Sequence, residues 1–157
     1  MENAKFRMIE NMKGYLLGGD FEARRYQKKG EIRARQGVVG EEIVTVMSNG
    51  LEETKNTVVC DENGNPGWVV TNPTGEQYIV KDEVFRKKYE KIEGTQDGYR
   101  PAWYPITAVQ IDESISFVAP WGEIMNIAAG GYIVFDETYD DVYGIQQAEF
   151  NETYNLV

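Results

Sequence analysis

The sequence predicts an α+β fold that is mainly β: two tandem small modules of four or five short strands, each closed by a short helix, with an N-terminal helix attached. Three observations lead there. One ladder of apolar and aromatic residues is written twice, helical spacing is confined to short segments, and most remaining apolar runs are brief and β-branched between turn-forming residues. At 157 residues, with 41% hydrophobic and 27% charged residues, the chain has the composition of a globular protein.

The N-terminal segment, residues 1–24, reads as helical. Phe6, Ile9, Met12 and Leu16 recur at helical spacing on one face, which ends near Gly18-Gly19, and Phe21 to Tyr26 allows a second short helix. The first module spans 25–92. It contains Pro66-Gly67-Trp68-Val69-Val70-Thr71, then Gly75-Glu76-Gln77-Tyr78-Ile79-Val80, then a helix over Lys81 to Tyr89 with Phe85 and Tyr89 at i and i+4. An additional hairpin is expected from Glu53 to Val59, turning at Asp61-Glu62-Asn63-Gly64.

The second module spans 99–157. Strands are expected at Ile106 to Ile111, Ile115 to Ala119, Ile124 to Ala128, Tyr132 to Phe135 and Val142 to Ile145, with a closing helix from Gln146 to Tyr154. Trp68 then matches Tyr132, Tyr78 matches Tyr143, Val80 matches Ile145, Phe85 matches Phe150 and Tyr89 matches Tyr154. The offset is 64 before the connecting turn and 65 after it. Upstream, Arg33-Ala34-Arg35-Gln36 faces Thr107-Ala108-Val109-Gln110, so the first copy carries about ten extra residues before Trp68.

The order Pro-Gly-aromatic-Val-Val, Gly-Glu-x-Tyr and Phe-x-x-x-Tyr resembles a family of small proteins common in bacteriophages, prophages and bacteria, which often open with a Tyr-x-x-Lys-Pro-like strand. Arg25-Tyr26-Gln27-Lys28-Lys29-Gly30 and Gly98-Tyr99-Arg100-Pro101 stand where that opening would be. The family pattern has an Asp after the Gly of the turn. Here Trp68 and Tyr132 follow Gly67 and Gly131 directly, and the second copy has Asp141-Val142-Tyr143 in place of Gly-Glu-x-Tyr. The resemblance implies a fold and a phage or mobile-element setting, and no chemistry.

Composition excludes much. The chain has no histidine, which removes Ser-His and Cys-His nucleophilic machinery and imidazole zinc sites. Cys60 is the single cysteine, so four-cysteine metal sites within one chain are excluded too. It ends the run Val58-Val59-Cys60 and reads as a small buried residue. No phosphate-binding loop occurs, and no cofactor is expected. The lone cysteine, the charged first twenty residues and the absence of an eighteen-residue apolar run predict a cytoplasmic protein with no membrane partner.

The net charge of −10 is uneven: residues 1–89 hold 14 acids and 14 bases, residues 90–157 hold 12 acids and two bases. Such a surface repels phosphates, so no nucleic acid is expected as a direct partner. The basic stretch Arg24, Arg25, Lys28, Lys29, Arg33 and Arg35 is expected to pair with the acidic second module or with a neighbouring molecule. Candidate binding residues are Trp103, Tyr104, Trp121 and Tyr139, aromatics beside an acidic face. Asp136, Asp140 and Asp141 are candidate metal ligands, against a plain solvated loop. The expected function is a non-enzymatic binding protein with an unidentified protein partner, in one form an acidic counter-defence protein. A metal-dependent carboxylate enzyme and a structural or oligomeric phage component are the alternatives.

Overall fold

The structure is a computed structural model that describes residues 6–46, 52–120 and 122–157. In chain order its elements are β1 (Arg7–Met8), α1 (Met12–Gly18), β2 (Arg24–Lys28), β3 (Ile32–Gln36), β4 (Glu42–Val46), β5 (Glu52–Thr57), β6 (Trp68–Thr71), β7 (Gln77–Val80), α2 (Asp82–Lys88), β8 (Tyr89–Lys91), β9 (Gly98–Pro101), β10 (Ile106–Gln110), β11 (Ile115–Val118), β12 (Ile124–Ile127), β13 (Tyr132–Phe135), β14 (Tyr143–Ile145), α3 (Gln147–Thr153) and β15 (Tyr154–Leu156). The fold is α+β and mainly β. Two compact units divide it, one made of residues 1–27 and 105–157 and the other of 28–104.

The 28–104 unit is built on a five-stranded sheet in the order β7-β6-β3-β9-β8, and the other unit on a sheet in the order β14-β13-β10-β2-β15. Their registers correspond. Ala34 pairs with Val70 and Gln36 with Trp68 in one, Ala108 with Val134 and Gln110 with Tyr132 in the other. Trp68 pairs with Val80, and Tyr132 with Ile145. Each sheet packs a cluster against its seven-residue helix: Ile32, Ala34, Val70, Phe85 and Tyr89 with Trp68, Tyr78, Val80 and Tyr99, against Ile106, Ala108, Val134 and Phe150 with Tyr26, Tyr132, Tyr143, Ile145 and Tyr154. All nine positions of one set have a counterpart in the other.

The ring geometry repeats as well. Trp68 stacks on Phe85 at 4.2 Å and 6°, Tyr132 on Phe150 at 3.8 Å and 13°. Tyr99 stands edge-on to Phe85 at 4.9 Å, Tyr26 edge-on to Phe150 at 4.8 Å. The Tyr78 and Tyr89 hydroxyls lie 2.9 Å apart, and Tyr143 hydrogen-bonds Tyr154 at the matching place. Gly67 and Gly131 also correspond: a Cβ there would lie 3.0 Å from Ile79 and 3.3 Å from the Val80 carbonyl oxygen in one, and 2.5 Å from Ile127 and 3.2 Å from the Ile145 carbonyl oxygen in the other.

The opening strands, however, are exchanged. β2 precedes β3 in the chain but pairs with β10, Tyr26 opposite Ile106. β9 precedes β10 but pairs with β3, Tyr99 opposite Ile32, and with β8. The sequence reading places 25–92 and 99–157 as the modules; the compact units instead take residues 28–104 and the two flanking pieces. The connecting segments between opening strand and following strand are short, and pattern alone predicts a local hairpin there. Each Tyr fits the other copy's aromatic cluster equally well, because the clusters are alike.

Four further expectations are corrected. Among the described residues, the N-terminal segment is helical only over Met12–Gly18, where the Asn11 side chain accepts from the Gly14 N–H. Before it, Arg7–Met8 is a short strand parallel to β11, and Phe21 to Tyr26 leads into a strand. Both closing helices run straight into a further strand, β8 and β15. The extra hairpin of the first copy pairs β4 with β5, ahead of the Asp61 turn. Cys60 is exposed, at an isolated bridge to Pro66 where the ladder ends.

On its other face each sheet carries different cover. In the 28–104 unit this is the β4–β5 hairpin, with Ile43, Val58 and Val69 buried together. In the other unit, α1, β1, β11 and β12 bury Leu16, Ile9, Ile111, Ile115, Phe117, Met125 and Ile127 with Ile133.

Candidate functional site

The candidate metal ligands do not gather. Asp136 accepts hydrogen bonds from the Thr138 hydroxyl at 2.9 Å and from the backbone N–H groups of Asp140 and Asp141 at 3.1 and 3.3 Å. Burial pushes its carboxyl up, but these donors outweigh that and hold it below the usual range. Its oxygens thus close the loop. Among the described residues no three carboxylates or thiols stand together to hold a metal ion. Tyr139 adopts φ 60° and stacks on Phe135 at 5.2 Å, with Lys13 over its ring, which ties it to the core of its unit.

Trp103 is the most exposed large aromatic of the described residues, at 71%, and Tyr104 beside it is 40% exposed with Lys88 over its ring. Trp121 lies outside the described residues. The ion pairs of the basic stretch found among the described residues are made with Glu22, Asp97 and Glu41, none of them in residues 105–157. Arg24 meets Glu22 at 2.8 Å, Arg33 meets Asp97 at 3.0 Å, and Arg35 meets Glu41, whose carboxyl is lowered to about 2 by hydrogen bonds from Arg35 and the Val38 N–H. Lys28 sits over the rings of Tyr78 and Tyr89 and donates to Asn72. Arg24, Arg33 and Arg35 are thus each matched by a carboxylate.

What sequence reasoning missed is a cleft of about 870 Å³ in the unit of residues 1–27 and 105–157, a volume typical of ligand sites. One wall is α1, with Gly14, Tyr15 and Gly18. The segment Gly19 to Arg24 forms the second, and the β10 end with Asp112 and Glu113 the third, with Tyr26 and Tyr132 also lining it. Gly19 leaves room for the Phe21 ring, from which a Cβ there would lie 2.3 Å, and the ring tucks against Tyr15 at 5.3 Å.

Arg7 donates to Glu113 through two nitrogens, at 2.6 and 3.1 Å, and lies 5.6 Å over the Tyr15 ring. This pairing lowers the Glu113 carboxyl below its ordinary value. The Tyr15 hydroxyl oxygen is shut off from solvent with no hydrogen-bond partner, and burial together with Glu113 and Asp112 raises its pKa, so it stays neutral at physiological pH.

Neither a family model, nor a curated protein, nor a solved structure is matched by the chain. No helix among the described residues is long and apolar enough to cross a membrane.

The signals that could have located the cleft are Gly18-Gly19 and Asp112-Glu113. The first reads equally as the end of a helix and the second as a turn. Only the folding of α1 back toward the end of β10 makes them neighbours.

Proposed function

We propose that this chain is a non-enzymatic binding protein, of phage or mobile-element type, that docks its acidic unit on a basic surface of a partner protein. The carrying observation is charge: residues 105–157 contain nine acids and no Lys or Arg. Asp112, Glu137, Asp140, Asp141 and Glu152 are exposed among them. Residues 1–27 of the same unit add four acids and five bases, so acids stay in excess; close-spaced surface carboxylates in such excess raise the local negative potential, speed encounter with a basic partner and repel phosphate backbones. Two facts favour binding over catalysis: histidine is absent, and the acidic loop spends its Asp136 oxygens on its own backbone. One concrete form is a counter-defence protein that occupies the basic nucleic-acid groove of a host protein, standing where the phosphates would.

The test is comigration with purified nucleic-acid-binding proteins of the host, at low and at raised salt, with DNA as competitor. The reading predicts a complex that DNA displaces and that weakens steeply as salt rises. The Glu137→Gln, Asp140→Asn, Asp141→Asn, Glu152→Gln variant should lose it at least tenfold, roughly what removing several steering charges costs. A complex indifferent to salt and to these substitutions contradicts the reading.

A further inference from the structure

We propose that the cleft against α1 receives the guanidinium group of an arginine presented by the partner protein. This rests on the reading of the chain as a binder of basic surfaces and names the group that would be inserted.

Charge selects a cation. Six ionisable acids and bases line the cleft: Asp20, Glu22, Asp112, Glu113, Arg7 and Arg24. Arg7 is matched by Glu113 and Arg24 by Glu22. Asp20 and Asp112 have no ion pair among the described residues, which leaves the cleft negative by two. An anionic ligand would meet that charge unpaid, while a cation gains from both carboxylates.

Ring composition selects a flat cation. Tyr15, Phe21, Tyr26 and Tyr132 line the same space. A planar, weakly hydrated guanidinium uses ring faces and carboxylate forks together, whereas an ammonium is a compact, strongly hydrated point charge. The cleft wall already holds one guanidinium this way: Arg7 is gripped by both Glu113 oxygens while lying over Tyr15.

The duplication supplies an internal control. Matching the β10 register onto β3 puts Val38-Val39 at the positions of Asp112-Glu113. α1 and β1 stand among the cover of a sheet face whose counterpart is covered by the β4–β5 hairpin. The cleft is therefore an addition to the module, and the shared packing does not require it.

The full chain, labelled with nitrogen-15, would be titrated at low salt with three short peptides alternating glycine with arginine, lysine or serine. The arginine peptide is expected to shift the amides of Gly18 to Phe21 and Gln110 to Glu113, and to bind several-fold more tightly than the lysine peptide. The exposed pair Asp20→Asn, Asp112→Asn should weaken it roughly tenfold without moving the thermal midpoint. Equal affinity for the two basic peptides, shifts confined to residues 136–141, no binding at millimolar peptide, or an unaltered affinity in the double variant would each overturn the cleft assignment. Should partner binding stay salt-sensitive while any of these is seen, the cleft assignment alone falls. Should partner binding survive the four-site surface variant and raised salt while the arginine peptide behaves as expected, the surface reading falls instead.

Discussion

Replacing Phe150 by alanine is expected to cost about 3–5 kcal/mol, the range for truncating a fully buried aromatic. Phe150 is 2% exposed, stacked on Tyr132, edge-on to Tyr26 and 4.8 Å from Tyr154, so its removal opens a void that three rings cannot fill without leaving their strands. Phe85→Ala should cost about as much, because Phe85, also 2% exposed, meets Trp68, Tyr99 and Tyr89 in the matching arrangement. Chemical denaturation with intrinsic fluorescence reads both. Phe→Leu at either position, which keeps most of the volume, should cost less than the alanine change. A loss under 1 kcal/mol at one site and a full loss at the other would mean that the two clusters are not energetic equivalents.

The second large effect is crosswise. Tyr26→Ala should weaken the sheet that contains Tyr132 to Ile145 and leave Trp68 to Val80 nearly untouched; Tyr99→Ala should do the reverse. Each tyrosine is half-buried and contributes its own burial plus two edge contacts, so roughly 2 kcal/mol is at stake. Amide hydrogen exchange followed residue by residue separates the two sheets. Protection lost in the same half of the sequence as the substitution would show that the opening strands fold back locally.

These expectations mark where sequence sufficed. The face of each sheet that meets its helix was legible, since Trp68, Phe85 and Tyr89 and their partners Tyr132, Phe150 and Tyr154 must repeat if the packing repeats. The opposite face was not. There the register puts Arg35 where Val109 stands and Ile79 where Gly144 stands, and the two copies recruited different cover. Gly144 is itself fitted to its own cover: a Cβ there would lie 2.3 Å from Ile127.

Tertiary pairing also overrode local pattern at Arg7–Met8 and at Phe21 to Tyr26, where helical spacing lost to β-ladders with β11 and β10. β8 and β15 are only three residues long and follow a helix without a break, so no turn residue announces them. The candidate site was the least legible part. Several lining residues had drawn notice singly, Gly18-Gly19 as a helix end, Arg24 in the basic stretch and Tyr26 and Tyr132 in the repeat, but nothing in their spacing joined them. Of the four aromatics chosen from sequence, Trp103 and Tyr104 are exposed, Tyr139 is tied to the core and Trp121 lies outside the described residues.

Everything turns on a module written twice with its opening strands interchanged, and proton–proton Overhauser contacts across the strands decide it. Exchanged strands place Tyr26 beside Ile106 and Tyr99 beside Ile32, and contacts between those backbones are the result expected. Contacts of Tyr26 with Ile32 and of Tyr99 with Ile106, the signature of two local hairpins, would contradict it.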